Sequence, residues 1–458
     1  MAIATTNPAT GETVREFDSL TSEQLEDKIQ RSWDAFQTYR DSTLEQRAGW
    51  MRAAADILDA EVDQLAELAT LEMGKTLAAA KAEVGKCALG CRWYADHAPE
   101  HLADHPWDPA DAPENARVFT RYQPLGPVLA IMPWNFPYWQ VFRFLCPALM
   151  AGNTGLLKHA SNVPQVALAI EDVLVRAGFP QDVFQTLLIG SSMIEAMVDD
   201  DRVRAVTLTG SEPAGREVGG LAGKNVKTSV LELGGSDPFI VMPSADLDAT
   251  ADSAVASRTL NNGQSCINAK RIIVHEQVAD EFARLLVEKM EALKVGDPMA
   301  EDTDLGPMSG PQGLEELDKQ VQDSVAAGAK LLTGGKPMGG PGNFYPPSVL
   351  ADIPKSAPAY YEELFGPVAL FFRAKDVDEA IAIANDSPFG LGGSAWTQDA
   401  GEAERFANEV ESGMVYINKV TASTPEVPFG GAKNSGYGRE LASFGTHSFV
   451  NAKTVWMQ

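Results

Sequence analysis

From Pro127 onward, short apolar runs alternate with longer segments whose apolar residues recur three or four apart, and this alternation constrains the fold more than any other feature. Pro127–Pro133 reads as a strand, Tyr138–Met150 as a helix and Thr154–Lys158 as a strand. Val163–Ala177 reads as a helix closed by Gly178, Phe184–Leu188 and Ala205–Thr209 as strands, and a further helix starts near Ser211. After Gly234-Gly235 the pattern resumes with a helix over Leu247–Ser257, a strand over Arg271–His275 and a helix over Val278–Leu293. Strands follow at Val368–Phe372, Gly392–Trp396 and Met414–Ile417, with helices near Val377–Ala384 and Gly401–Val410. Such alternation predicts doubly wound α/β domains with parallel sheets, two of them meeting near residue 235. Residues 21–98 read as helices opening at a Thr21-Ser-Glu-Gln cap. The tail, Phe449–Gln458, reads as an extended strand without an obvious partner in its own domain; an ordinary C-terminal strand and an addition to a neighbouring subunit's sheet edge both stand.

At 458 residues the chain has length for two or three domains of about 100–200 residues each. With 37 Lys plus Arg against 63 Asp plus Glu, the net charge is −26. That balance argues against nucleic acid and against anionic membrane surfaces, which are bound through Lys and Arg. No apolar run approaches the roughly 20 residues of a membrane span. The first residues carry no export pattern, and four cysteines are too few for a disulfide framework, so the expected location is a reducing cytoplasm.

Several residues are candidates for chemistry. Cys266, in Asn261-Asn-Gly-Gln-Ser-Cys-Ile-Asn268, sits in a polar segment ahead of a strand, where substrate can reach it and backbone N–H groups can favour its thiolate. A buried inert thiol is the competing reading, and it is the one taken for Cys87, Cys91 and Cys146. Glu232, flanked by leucines at a strand end, is either a base with a raised pKa or a paired carboxylate. Asn135, in Trp134-Asn-Phe-Pro137, is either an amide aimed at an oxyanion or a helix cap. Leu208-Thr-Gly-Ser211 forms a strand–Gly–helix junction able to receive a phosphate, and Lys158 ends another strand. His97, His101 and His105 recur every four residues, but Pro99 is expected to interrupt the helix they would need, so no metal is expected.

The order of these segments is more telling than any one of them. Trp134-Asn-Phe-Pro, Lys158, Leu-Thr-Gly-Ser at 208–211, Glu-Leu-Gly-Gly at 232–235, Gly-Gln-Ser-Cys at 263–266, Glu-Leu-Phe-Gly-Pro-Val at 363–368 and Pro-Phe-Gly-Gly at 428–431 resemble the NAD(P)-dependent aldehyde dehydrogenase superfamily, within it the bacterial succinate-semialdehyde dehydrogenases. The resemblance runs from about residue 5 to the C-terminus. It implies an α/β fold with a Rossmann-type cofactor domain (1–114 and 127–234), an α/β catalytic domain (235–435) and a small β oligomerisation arm (115–126 and 436–458), assembled as a homodimer or homotetramer. It also implies that Cys266 attacks the aldehyde, that Asn135 and the Cys266 N–H hold the oxyanion, that hydride leaves for the nicotinamide, and that Glu232 activates water to hydrolyse the thioester.

By the same resemblance Gly210 and Ser211 lie at the pyrophosphate, Glu363 and Phe365 at the nicotinamide ribose and ring, and Trp134 and Gly235 line the site. Relatives that prefer NAD commonly carry Lys-Pro-Ala-Glu, whereas this chain has Lys158-His-Ala-Ser161. Without that acid a 2′-phosphate meets no like charge, while Lys158 and Ser161 can bind it, so NADP is expected to be preferred and NAD to be weaker. Arg143, eight residues after Asn135, is expected to meet a far carboxylate of the aldehyde, the competing reading being a pair with a neighbouring acid. Ser423 adds a hydroxyl from the loop that resembles the family's substrate entrance. A broad-range or glutarate-semialdehyde enzyme is the nearest rival, because one methylene is worth only about 1–3 kcal/mol. A non-redox Cys acyl hydrolase is the rival from another class.

Overall fold

The computed structural model describes residues 3–458. Helices α1 (Ser22–Tyr39), α2 (Leu44–Ala60), α3 (Val62–Met73) and α4 (Leu77–His101) precede the first large sheet. Thr21 and Thr43 each close a capping box with the Gln three residues on, which fixes where α1 and α2 begin. Helix α4 runs through Pro99, contrary to the expected break. Proline removes one N–H from the helix, and the Arg52 guanidinium reaches the Ala95 carbonyl that this N–H would have met. His97 stacks on Trp93 and His101 bonds Thr446; among the described residues no three His, Cys, Asp or Glu side chains gather as metal ligands.

The first large sheet contains β1 (Pro127–Met132), β2 (Thr154–His159), β3 (Phe184–Thr186), β4 (Ala205–Thr209) and β5 (Thr228–Glu232). Its parallel order is β5-β4-β1-β2-β3, with Gly436–Tyr437 added antiparallel at the β5 edge. The order reverses between β1 and β4, and ligands bind at such a switch point beyond the carboxyl ends of the strands. Helices α5 (Trp139–Ala151), α6 (Pro164–Arg176) and α7 (Glu212–Lys224) cross between these strands. Gly215 on α7 lies so close to β5 that a Cβ there would meet Leu233 at 2.4 Å.

The second sheet contains β6 (Pro238–Val241), β7 (Arg271–His275), β8 (Lys330–Thr333), β9 (Ser348–Ala351), β10 (Val368–Ala374), β11 (Ser394–Trp396) and β12 (Tyr416–Ile417), in the order β8-β9-β10-β7-β6-β11-β12. All neighbours are parallel except β8 with β9. The central strands β6, β7 and β10 are buried almost throughout and read as largely apolar runs, as parallel strands do. The α/β class and paired parallel sheets expected from the sequence are what the structure contains.

Two expectations for the C-terminal region change. The tail strand Val450–Met457 does have a partner in its own chain, pairing antiparallel over eight residues with Arg117–Pro124, which also pairs with His105–Trp107. The partner is 326 positions away at its nearest (450 − 124), so local pattern does not reveal it. Gly436–Tyr437, assigned from sequence to the arm, instead pairs with β5; the left-handed backbone of Gly436 lets it lie against Leu231. No described helix is long and apolar enough to cross a membrane.

One buried ion pair sets the start of α5. Glu83 on α4 accepts from the backbone N–H groups of Tyr138 and Trp139, both at 2.8 Å, and pairs with Lys75. It thus caps the helix that follows the Trp134–Pro137 loop, at the helix end where a negative charge is favoured. Lys75 and Glu83 have side-chain exposures of only 0% and 2%. Removing one partner of such a pair strands the other charge. Glu83→Ala is therefore expected to destabilise the chain by about 3–5 kcal/mol, measured as a lowered midpoint of thermal unfolding.

Candidate active site

The carboxyl ends of the first sheet face the amino ends of the second, and the candidate residues come from both. Trp134 and Asn135 follow β1, Lys158 and Ser161 lie at the end of β2, Gly210 and Ser211 follow β4, and Glu232 ends β5. From the second sheet, Gly235 precedes β6, Cys266 precedes β7, and Glu363 and Phe365 precede β10.

The Cys266 segment owes its path to its backbone. Asn261, Asn262 and Gly263 take φ values of +57°, +57° and +75°, left-handed geometry that Asn and Gly tolerate best. A Cβ on Gly263 would meet the Gly366 carbonyl carbon at 2.4 Å, so the loop lies directly on the Glu363–Gly366 segment. Arg258, fully buried, donates to the carbonyls of Gly263, Leu364 and Gly366. Lys270, also fully buried, donates to the carbonyls of Ser265 (2.7 Å) and Cys266 (2.8 Å) and pairs with Glu363 (2.9 Å). On the other side a Cβ at Gly235 would stand 2.7 Å from the Cys266 carbonyl, and one at Gly234 2.4 Å from Glu363 Oε2. The Gly234-Gly235 pair is what allows these close approaches.

Asn135 meets this loop across the interface between the sheets. Its Nδ2 donates to the Gln264 carbonyl at 3.1 Å, and its own carbonyl accepts from Asn261 at 2.8 Å. One of the two amide N–H bonds is left to point elsewhere, and the Cys266 N–H makes no hydrogen bond among the described residues. His159 holds the other side of the loop. Its Nε2 is 2.9 Å from the Pro137 carbonyl, and its Nδ1 lies 2.9 Å from the Ala160 N–H and 3.2 Å from the Met132 carbonyl. Burial lowers its pKa to about 4, so it stays neutral.

Cys266 is partly exposed and lines a cavity of about 290 Å³, with Phe136, Trp139, Arg143, Lys86 and Ser423 around it. The other three cysteines are buried, Cys91 and Cys146 in contact at 3.6 Å. Burial pushes the Cys266 thiol up to about 12 despite the nearby cations Arg143 and Lys270. Glu232 is buried with neither carboxyl oxygen hydrogen-bonded. Desolvation raises it well above the usual range and the Glu440 carboxyl adds to this, while Arg143 and Arg439 pull the other way.

Arg143 takes the second of its two readings. Its guanidinium is 2% exposed, ion-pairs with Glu440 and donates to Thr209 Oγ1 at 3.2 Å. A buried guanidinium requires such a partner, so its charge is largely answered within the protein although it still forms part of the cavity wall. Ser423 lies on the same wall and accepts from Trp139 Nε1 at 2.8 Å. Sequence reasoning missed Lys86, Lys270 and Glu440. Lys86 lies three residues after Glu83 in a helix otherwise rich in Ala and Gly, the one local signal for it.

The residues expected at a nucleotide fit one. Lys158 is half-buried, its pKa is lowered by desolvation, and no anion partners it among the described residues. Ser211 precedes α7 without its side chain capping the first N–H groups, which leaves them to a phosphate. Trp134 and Phe365 meet edge to face at 5.8 Å.

A family model described as the aldehyde dehydrogenase family matches residues 1–455. The chain is 58% identical over all of its length, and 97% of the relative's, to the succinate-semialdehyde dehydrogenase (NADP+) of Mycobacterium avium strain 104. It is 57% identical, over 100% of both chains, to succinate-semialdehyde dehydrogenase (NADP+) 1 of Mycobacterium tuberculosis strain H37Rv. Among solved structures, the succinic semialdehyde dehydrogenase of Streptococcus pyogenes in complex with NADP+ superposes with a TM-score of 0.96 at 38% identity, covering 99% of each chain.

The raised thiol sets a pH test. Because the thiolate is the nucleophile, alkylation of Cys266 by iodoacetamide in the nucleotide-free protein is expected to be slow at pH 7. It should still be climbing at pH 10, well above an ordinary cysteine, when followed by mass spectrometry of the peptide.

Proposed function

The chain belongs to the aldehyde dehydrogenase family, and from that premise we propose that it oxidises succinate semialdehyde to succinate with NADP+ through a covalent adduct on Cys266. The observation that carries this reading is the convergence on one cavity of a reachable thiol, the Ser423 hydroxyl and the Lys86 ammonium, with the Arg143–Glu440 pair in the wall, in a protein whose net charge is −26. The names of the NADP+ relatives support the same substrate and coenzyme.

The Cys266 thiol gives its proton to solvent water, Sγ bonds the aldehyde carbon, and the carbonyl π pair moves onto oxygen as an oxyanion. The free N–H of Asn135 and the backbone N–H of Cys266 hold that charge, which a preorganised pair of donors does without reorganisation. NADP+, when held by these residues, would supply the two-electron acceptor needed between adduct and thioester. Glu232, its proton affinity raised by burial, then takes a proton from a water whose oxygen attacks the thioester carbon, and Sγ departs with the carboxylic acid released. Lys158 and Ser161 hold the 2′-phosphate, Gly210 and Ser211 the pyrophosphate, and Glu363, Phe365, Trp134 and Gly235 surround the nicotinamide end. The outer edge of Val450–Met457, unpaired among the described residues, supports an arm that joins subunits in a cytoplasmic homo-oligomer.

Absorbance at 340 nm with succinate semialdehyde and either coenzyme tests the reading. NADP+ is expected to exceed NAD+ in kcat/KM; an NAD+ advantage of about tenfold would reject the assignment of Lys158 and Ser161. Cys266→Ala should abolish turnover. Glu232→Gln should lower steady-state turnover by about 100- to 10,000-fold while one equivalent of reduced coenzyme still forms in a burst. A Cys acyl hydrolase would give no signal at 340 nm.

A further inference from the structure

Arg143 spends its charge on Glu440, which leaves open what meets the far carboxylate of the substrate. Lys86 is the cavity's other cation. It projects from α4 into the same cavity as Cys266, and its Nζ lies 4.3 Å from the centre of the Trp139 ring. It forms no ion pair among the described residues, in a protein where acids outnumber basic residues 63 to 37. The nearest acid on its own helix, Glu83, is already held by Lys75 and by two backbone N–H groups of α5.

Trp139 ties this cation to a hydroxyl. The indole N–H donates to Ser423 Oγ, so the Ser423 O–H is left to donate in its turn. An ammonium and a hydroxyl donor are thus set against one indole on the wall of the cavity that ends at the thiol. An apolar or hydroxylated substrate has no use for a desolvated ammonium, whereas a carboxylate answers its charge.

We propose that Lys86, seconded by the Ser423 hydroxyl, is the ion partner of the aldehyde's distal carboxylate and the residue that selects ω-carboxylated aldehydes, while Arg143 supports the wall. This inference rests on the aldehyde dehydrogenase reading and deepens its substrate side. Lys86 is lowered to about 8, first by burial and then by the Arg143 charge on α5; Cys87 and Glu83 on its own helix and Cys266 on the nucleophile loop act in the opposite sense. The protonated form is the binding form, so carboxylate selection should fade as pH rises through about 8.

The experiment compares kcat/KM for succinate semialdehyde with that for butanal, which lacks the charge, with NADP+ on the full chain. Lys86→Met is expected to lower the ratio of the two by about 10- to 100-fold, through KM for the semialdehyde, and Lys86→Arg to restore most of it. In the wild type the same ratio should fall between pH 7 and pH 9.5; titration of the thiol cancels because both aldehydes meet it. This second measurement needs no variant, so a Lys86→Met chain that fails to fold leaves the proposal exposed to refutation. A wild-type ratio near one would overturn the substrate reading itself. A high ratio that survives both Lys86→Met and alkaline pH would overturn the assignment to Lys86 alone.

Discussion

The geometry of the whole site depends on one buried ammonium. Taking a lysine charge out of water carries an effective penalty of several kcal/mol, and Lys270 meets it with two hydrogen bonds and an ion pair. The bonds go to the Ser265 and Cys266 carbonyls at 2.7 and 2.8 Å, and the Glu363 carboxylate lies at 2.9 Å. A single side chain thereby sets the Cys266 backbone in register with the segment assigned to the nicotinamide ribose. Gly234 and Gly235 make room on one flank and Gly263 on the other. Arg258 repeats the device twelve residues earlier, binding three carbonyls of the same two loops.

The two sheets contribute opposite ends. Carboxyl ends of parallel strands are the usual place for ligands, and the first sheet follows that rule with Asn135, Lys158, Gly210 and Glu232. The second sheet offers its amino ends instead, so Cys266 and Glu363 enter the site on the way into β7 and β10 rather than out of them. The cleft is therefore lined by chain leaving one core and chain entering another, and its shape is a property of how the two cores are docked.

What the sequence made legible follows from this. Strand Arg271–His275 and strand Ala205–Thr209 were readable to the residue because buried parallel strands concentrate apolar and β-branched residues in short runs. The segments of the site were readable because their order along the chain resembles a family. Pairings over long separations were not: the partner of Val450–Met457 lies hundreds of residues away, and Pro99 breaks no helix because Arg52 answers the freed carbonyl. Buried charges were the least legible. Lys86, Lys270 and Glu440 look in sequence like any surface lysine or acid, since only tertiary packing decides which charges lose water and who then meets them. Arg143 illustrates the point, because its competing partner was foreseeable and Glu440 was not nameable.

His159 has a consequence of its own. Its ring bonds the Pro137 carbonyl, two residues from Asn135, while its backbone lies between Lys158 and Ser161, the pair assigned to the 2′-phosphate. One imidazole therefore links the segment assigned to the coenzyme phosphate with the loop that carries Asn135. Grafting the Lys-Pro-Ala-Glu pattern onto this scaffold would exchange that ring for a proline, and a swap intended to retune nucleotide preference would slacken the amide loop as well. The contact between the His159 ring and the Pro137 carbonyl is the bond that such a graft would delete.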